Sequence, residues 1–340
     1  MLKDIKTRAL FVGCGGMARN HLRIILSEFQ NTEIPVVCEP SVESFSETCK
    51  IFEENGRTIP HNEPELPKLL SKYSGELDAA FIVTPHALHF QQVKQCLESG
   101  LDVIVEKPMV MTAKEAEDLI RTRDSTGNLL VVAFQGSLSP QVRKAVEILN
   151  SGKLGEVRNI SGLMWQNWKA VSEGKWRQDP VISGGGFLFD SGAHMLNTIS
   201  DLAREDFTHV SAFFNNLGRP VEITAAILGK LRSGVLVSLT GCGDTYETAE
   251  SDLRVYCTNG ALKVDAWGKF LYQQINKSDG WQTIPLTESK GVWEQFLLVR
   301  HGDIPNPSPP ELGLRMAHLW DAIIESASNE GKMIEIHNGS

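Results

Sequence analysis

The stretch that decides the fold is residues 8–18, which reads Arg8-Ala9-Leu10-Phe11-Val12-Gly13-Cys14-Gly15-Gly16-Met17-Ala18. A short apolar run, typical of a buried strand, leads into a loop of the form G-x-G-x-x-A. A helical pattern follows, with apolar residues at Leu22, Ile25, Leu26 and Phe29. A strand, a glycine turn and a helix in this order form the context that a dinucleotide-binding loop needs.

Each small residue of this loop has a predicted task. Gly13 allows the tight turn, Gly15 lets the backbone approach a pyrophosphate, and Ala18 lets helix and strand pack closely. The N–H groups at the start of the helix, around Gly16 and Met17, would then meet the phosphates.

Glu39 follows the predicted second strand, 21 residues beyond Ala18. Its carboxylate would accept hydrogen bonds from a ribose diol, and its charge would repel a 2′-phosphate. We therefore expect NAD as the cofactor, with NADP disfavoured. A glycine turn followed by a surface glutamate, with no nucleotide, is the alternative.

The first 134 residues alternate apolar runs with helical segments. Continuous apolar runs are typical of a parallel sheet that is buried on both faces, with right-handed helical crossovers. We predict an α/β Rossmann domain, a doubly wound parallel sheet, over residues 1–134. Its predicted strands are 8–12, 34–38, 78–83, 101–105 and 129–134, and its helices are 41–54, 64–73, 87–99 and 112–126.

The pattern changes after Pro140. Strand-like runs separated by turns such as Asn259-Gly260 predict antiparallel hairpins. We assign residues 135–340 to a second, substrate-binding α/β domain. Its predicted strands are 157–165, 209–215, 222–228, 234–240, 253–257, 261–266 and 269–275, between helices at 140–150 and 311–326.

Composition narrows the functional classes. The 340 residues include 33 basic and 42 acidic side chains, a net charge of -9. Without clustered lysines and arginines, we expect no nucleic-acid partner. The longest apolar stretch is about six residues, well short of the about 20 that a membrane span needs. The N-terminus lacks the apolar block of a signal peptide, and the six cysteines form no C-x-x-C pair, so we expect a cytoplasmic protein.

Thr84 and Pro85 follow the strand predicted over 78–83. They would lie at the carboxyl edge of the sheet, where ligands bind in open α/β folds. We include both, with His89, among the candidate cofactor contacts. His86 and His89 lack a third ligand, so packing or capping is a better explanation than metal binding, and we expect no metal.

The strand predicted over 101–105 ends in Glu106-Lys107-Pro108. Pro108 restricts Lys107 to an extended backbone, which would hold the lysine at the carboxyl edge of a central strand. A partly buried lysine there can polarise a substrate oxygen, and we add Glu106 and Lys107 to the cofactor contacts. An ordinary surface lysine before a turn is equally consistent with the pattern.

The second domain contains a glycine-rich stretch, residues 183–194, which ends in Asp190-Ser191-Gly192-Ala193-His194. We predict a helix that begins near Asp190 or Ser191, in which Asp190, His194 and Asn197 share one face. An aspartate that orients a histidine suits general acid–base chemistry near neutral pH. A helix cap at Asp190 with a packed His194 is the alternative.

Three tryptophans, Trp165, Trp168 and Trp176, lie within 12 residues of one another. Aromatic faces often stack on sugar C–H groups, so Trp165 and Trp176 are candidate substrate contacts. Ordinary core positions explain any one tryptophan equally well.

Taken in order, these features resemble the glucose–fructose oxidoreductase / inositol dehydrogenase / MocA (Gfo/Idh/MocA) family. The most specific parts are Glu106-Lys107-Pro108 and residues 184–194, and residues 176–180 are similar to the segment that precedes the latter in the family. The resemblance runs from about residue 7 to the final helix. It implies a Rossmann domain, a second domain on a large, open, mostly antiparallel sheet, and a homodimer or homotetramer.

The resemblance also implies that Lys107, Asp190 and His194 occupy the family's catalytic positions. Members often carry aspartate where this chain has Asn197, and arginine-rich sequence where it has residues 136–138. Both regions border the substrate in the family, so the resemblance makes Asn197 a candidate substrate contact. The departures leave the substrate's identity open.

The resulting expectation is an NAD-dependent oxidoreductase that oxidises a secondary hydroxyl of a sugar or cyclic polyol, or reduces the ketone. His194 would take the hydroxyl proton, Lys107 would stabilise the alkoxide, and Asp190 would orient His194 or the hydroxyl. This requires Lys107 and His194 to meet across one cleft. Two alternatives stay open: a redox-neutral sugar hydrolase, lyase or isomerase that retains NAD, and a non-catalytic NAD-binding regulator.

Overall fold

A computed structural model describes residues 5–336. Its strands are β1 Thr7–Val12, β2 Thr32–Cys38, β3 His61–Asn62, β4 Ala79–Ile82, β5 Asp102–Val105, β6 Leu130–Val132, β7 Val157–Gln166, β8 Phe207–Asn215, β9 Thr224–Leu231, β10 Leu236–Cys242, β11 Ala249–Cys257, β12 Gly260–Val264, β13 Leu271–Gln274, β14 Gln282–Thr283 and β15 Ile334–Glu335. Its helices are α1 Gly16–Glu28, α2 Val42–Glu54, α3 Leu66–Lys72, α4 His86–Glu98, α5 Ala113–Thr126, α6 Gln135–Leu138, α7 Pro140–Asn150, α8 Trp168–Val171, α9 Pro180–Ser183, α10 Phe187–Asp190, α11 Gly192–Ala203, α12 Val292–Arg300 and α13 Pro310–Ser328.

The chain divides into two units. The first takes in the described residues up to 110, together with 114–133 and 289–311. The second takes in residues 111–113 and 134–288 and those from 312 onward. Residues 289–311, which the sequence analysis placed in the second domain, therefore pack with the first.

The sheet of the first unit has six strands in the order β3-β2-β1-β4-β5-β6, and every neighbouring pair is parallel. This order is that of a doubly wound dinucleotide-binding fold. The predicted parallel sheet is confirmed. The physical reason is the one expected, since β4 is apolar and buried throughout, as is β5 apart from its first residue, Asp102. The glycine loop, Thr84 and Glu106 all follow strands at the same carboxyl edge.

Helix α12 explains why residues 289–311 return to the first unit. Trp293 is buried, and its ring stacks on Phe81 of β4 with ring centroids 6.1 Å apart. Its indole Nε1 donates to the Thr32 hydroxyl of β2 at 3.0 Å. An apolar residue anchored so far along the chain is not visible in the local pattern that set the predicted boundary.

The sheet of the second unit has nine strands in the order β14-β13-β12-β11-β7-β10-β9-β8-β15. All pairs are antiparallel except β7 with β10, which run parallel. The expectation of a large, mostly antiparallel sheet is confirmed. Helix α11 covers one face, where a Cβ added to Gly162 of β7 would lie 3.3 Å from the Met195 sulfur.

The helix predicted from Asp190 or Ser191, with Asp190 and His194 on one face, needs correction. The predicted helix from Asp190 or Ser191 is two helices, because α10 ends at Asp190 and α11 begins at Gly192. Asp190 and His194 therefore belong to consecutive helices rather than to one helical face. Strands β3, β14 and β15 have two residues each, too few for a periodic signal.

Among the described helices, none combines the length and apolar character needed to cross a bilayer.

Candidate active site

The glycine loop of the first unit has the geometry of a phosphate-binding turn. Gly13 has φ +91°, and an added Cβ would lie 2.6 Å from the Val83 carbonyl oxygen, so only glycine fits there. Beside Gly15 and Gly16, by contrast, the space around an added Cβ is open to 4 Å. Gly15 provides no side-chain cap for α1, so backbone N–H groups of the first turn face that space. A dinucleotide pyrophosphate therefore fits the loop.

The buried carboxylate of Glu39 ties the end of β2 to this loop. Its Oε2 accepts the Cys14 N–H at 2.6 Å, and its Oε1 accepts the Ser41 N–H at 2.7 Å. A carboxylate has about four acceptor sites, so these two contacts leave acceptor capacity for a ribose diol. The residue is fixed in position before any ligand binds.

His89 occupies a different environment from the one expected of a cofactor contact. Its ring is 0% exposed, with Nδ1 2.9 Å from the Pro108 carbonyl oxygen and Nε2 2.9 Å from that of Thr84. Burial lowers the pKa of His89, and the two carbonyl oxygens oppose that effect. Both nitrogens thus contact backbone. Nearby, the Thr84 hydroxyl donates to Gln92 Oε1 at 2.5 Å, and Pro85 precedes the first residue of α4.

Lys107 lies at the end of β5 with only 9% of its surface exposed. Its backbone N–H donates to Glu106 Oε2 at 3.2 Å, and its peptide bond to Pro108 is cis. Glu106 Oε1 in turn lies 2.7 Å from His21 Nε2 on α1. His21 was not among the residues predicted from the sequence. The available signal was a histidine three residues after Ala18 and four before Ile25, on the buried stripe of α1.

Asp190 is the centre of the candidate acid–base group in the second unit. Its buried Oδ2 accepts the Trp168 indole N–H at 2.9 Å and Arg177 Nε at 3.0 Å. The Arg177 guanidinium lies 4.5 Å from the centre of the Trp176 ring. Two donors thus hold this carboxylate, and candidate Trp176 adjoins it through Arg177.

His194 is the third residue of α11 and is buried. Its ring lies 6.0 Å from that of Trp267, a partly exposed residue after β12 that the sequence did not single out. Asp190 at the end of α10 and His194 near the start of α11 flank the break at Ser191.

Glu222 anchors the segment that leads to Asp190. Its Oε1 and Oε2 accept the Gly186 N–H at 2.8 and 2.7 Å, and Oε1 also accepts the N–H groups of Leu188 at 3.1 Å and Phe189 at 3.3 Å. Burial raises the pKa of Glu222 to about 7, and the backbone donors act against that rise. A Cβ on Gly186 would lie 2.0 Å from the Glu222 carbonyl oxygen, so the glycine is required.

Asn197 lies in a buried polar cluster of the second unit. Its amide nitrogen donates to the Ser137 hydroxyl at 2.7 Å and to Asp201 Oδ2 at 3.3 Å. Its Oδ1 accepts Arg315 Nη2 at 2.8 Å, and the residue is buried. These contacts link the Asn197 position to residues 136–138, the two places where this sequence departs from the resemblance.

Trp165 is not brought to Asp190 and His194. It follows Met164, which is buried on the helix-covered side of β7. Successive side chains of a strand point to opposite faces, so Trp165 lies on the outer face of the sheet. Within residues 5–336, no three His, Cys, Asp or Glu side chains are grouped as metal ligands would be.

Sequence comparison matches the chain at both of its units. Residues 7–134 match the oxidoreductase family with an NAD-binding Rossmann fold, and residues 142–263 match the GFO/IDH/MocA C-terminal domain. The chain belongs to the Gfo/Idh/MocA family.

Two curated relatives each match less than half of this chain. D-xylose 1-dehydrogenase [NADP(+)] of Haloarcula marismortui is 33% identical over 127 residues, which are 37% of this chain and 35% of the relative. A scyllo-inositol 2-dehydrogenase (NADP(+)) of Bacillus subtilis is 28% identical over 147 residues, 43% of this chain and 40% of the relative. The chain thus spans less than half the length of either enzyme.

A solved structure agrees over nearly the whole chain. An inositol dehydrogenase homolog from Azotobacter vinelandii, complexed with NAD+, has a TM-score of 0.82. The similarity covers 98% of this chain and 100% of that one, at 17% identity. This agreement shows the shared fold of the family.

Proposed function

We propose that this Gfo/Idh/MocA protein is an NAD(P)-dependent oxidoreductase that oxidises a secondary hydroxyl of a sugar or cyclic polyol, or reduces the corresponding ketone. The observation that carries the proposal is the nearly buried Lys107 at the end of β5, at the same sheet edge as a dinucleotide loop. A largely buried cation at this edge can stabilise negative charge that develops on a ligand beside it.

In this proposal the chain's residues divide the work on the substrate hydroxyl. His194 takes the hydroxyl proton in the oxidative direction and returns it in the reductive one. The Lys107 ammonium stabilises the alkoxide, and Asp190, fixed by Trp168 and Arg177, orients His194 or the hydroxyl. When bound, the dinucleotide supplies the hydride acceptor or donor.

We propose NAD as the preferred form of that cofactor. The Glu39 carboxylate, held at the end of β2, would repel a 2′-phosphate. The two relatives named above have NADP(+) in their names, so a preference for NAD would distinguish this chain from them. Fluorescence titration should give a lower Kd for NADH than for NADPH. A preference for NADPH would contradict the proposed role of Glu39.

The reaction is tested with a panel of sugars and cyclic polyols, followed by NADH absorbance. Lys107→Met should lower turnover by about two orders of magnitude or more while leaving the NADH Kd largely unchanged. Full activity of this variant would remove Lys107 from the mechanism. Product formation without free NADH would indicate a redox-neutral reaction with retained NAD. Tight NAD binding without any turnover would indicate a regulator.

The outer face of the nine-stranded sheet supports a proposal of self-association as a homodimer or homotetramer. Leu163, Leu228 and Leu236 are all exposed there, and Leu228 has 64% of its surface exposed. Exposed apolar patches of this kind commonly mark protein interfaces. Leu228→Lys should shift the mass measured by analytical ultracentrifugation toward the monomer.

We also propose a cytoplasmic location, which recovery of the protein outside the cytoplasm on cell fractionation would contradict.

A further inference from the structure

We propose that His21 and His89 are positioning residues, which hold the turn Glu106–Pro108 from two different helices and thereby fix where the Lys107 side chain begins. The inference rests on the proposed function for the importance of Lys107, although the holding of the turn can be tested without any reaction. Neither histidine would touch substrate or the reacting atoms in this role.

The first contact comes from α1, the helix that begins in the glycine loop. His21 Nε2 lies 2.7 Å from Glu106 Oε1, and both side chains are largely buried. The His21 ring also packs against Phe81 of β4, with ring centroids 4.7 Å apart. Because Glu106 Oε2 accepts the Lys107 N–H, one carboxylate connects the histidine to the lysine backbone.

The second contact comes from α4, the helix that follows β4 in the chain. The fully buried His89 ring lies between the carbonyl oxygens of Pro108 and Thr84, at 2.9 Å from each. It therefore joins the residue after Lys107 to the loop that follows β4. Burial lowers the pKa of His89, which favours the neutral ring, and a neutral ring donates to one of the two carbonyl oxygens and lies beside the other.

Together these contacts fix the backbone on both sides of Lys107. A lysine side chain has several rotatable bonds, so an ordered turn restricts only where its stem begins. That restriction matters most for electrostatic stabilisation, which requires the charge to be in place before the reaction. Helix α1 thus connects the dinucleotide loop to the lysine turn, because its first turn borders the loop and its His21 contacts Glu106 of the turn.

The experiment measures Lys107 itself. Trace acetylation of the full-length protein with acetic anhydride, quantified by peptide mass spectrometry, gives the reaction rate of Lys107 relative to the exposed Lys332. A loosened turn exposes the amine, so His21→Asn and His89→Asn should each raise this ratio about tenfold, the size expected for losing a hydrogen bond to a charged or buried group. The matched control is His61→Asn, an exposed histidine on β3, which should leave the ratio unchanged.

Glu106→Gln keeps the shape of the turn but removes the charge that faces His21, and it serves where a histidine variant does not fold. An increased Lys107 ratio in His21→Asn or Glu106→Gln, with the wild-type melting temperature, supports the inference. An unchanged ratio in both overturns the role of His21, and an unchanged ratio in His89→Asn overturns that of His89, whatever the turnover. A raised ratio with undiminished turnover keeps the positioning role and instead contradicts the proposed role of Lys107 in the reaction.

Discussion

Replacement of Glu222 by glutamine should change how the stability of the protein depends on pH. The pKa of the Glu222 carboxyl rises from its usual 4.5 to about 7 in the folded chain because the group is buried. Below pH 4.5 the carboxyl is protonated in both folded and unfolded chains. Between pH 4.5 and about 7 the unfolded chain releases this proton while the folded chain keeps it, so the free energy of unfolding falls as pH rises.

The size of this effect follows from the two pKa values. A rise from 4.5 to about 7 corresponds to about 3 kcal/mol of stability lost across the window. For a unit of this size, 3 kcal/mol corresponds to roughly 6–12 °C in melting temperature. Glu222→Gln cannot titrate, so its melting temperature should fall less over the same range, and the difference from the wild type should move in the variant's favour by about that amount.

Calorimetry from pH 4.5 to about pH 8 measures the effect. The matched control is Glu325→Gln, an exposed glutamate in the same unit that removes the same charge without touching the Gly186 segment. Its melting curve should stay parallel to that of the wild type. If the Glu222→Gln and wild-type curves are also parallel, the backbone N–H donors fully offset burial, and our account of this carboxyl is incorrect.

Three further changes have defined outcomes. Gly13→Ala should weaken NADH binding by at least tenfold in fluorescence titration, because a Cβ would lie 2.6 Å from a backbone carbonyl oxygen at a φ of +91°; an unchanged Kd would contradict this. Trp293→Phe should lower the free energy of unfolding by about 1–2 kcal/mol in urea titration, since the buried Thr32 hydroxyl loses its indole partner. Trp168→Phe should lower kcat about tenfold with little change in the NADH Kd, because Asp190 loses the indole N–H donor; an unaffected kcat would show that this donor is not needed for the role of Asp190.

The sequence predicted those parts of the fold that depend on local pattern. Both ends of strands β1, β2, β4, β5 and β6 lie within two residues of the predicted bounds. A continuously apolar run before a turn has few other structures available. In the second sheet the predicted bounds fit less well, since β11 begins four residues before the predicted 253–257 and β9 ends three residues after the predicted 222–228. The parallel pairing of β7 with β10 was not foreseen, since these strands are about 70 residues apart and no local signal specifies their partner.

Predictions for the site divide in the same way. A short motif marks the positions of Gly13 and Glu39, whose roles toward the cofactor stay predictions. Glu222 was missed because the backbone it binds lies 36 residues away at Gly186, and nothing near it in sequence marks an anchor. The helix break at Ser191 was missed because apolar spacing downstream continues smoothly into α11.

The return of residues 289–311 to the first unit has a consequence for how this protein can be divided or recombined. A fragment that stops at residue 134 would carry the whole parallel sheet but lose Trp293, leaving the side of Phe81 that it covers exposed to water. Exchange of the nucleotide-binding half between relatives therefore needs two crossovers rather than one, so that the late segment travels with the sheet it covers. A hybrid made by a single exchange would place Trp293 against a sheet from a different protein.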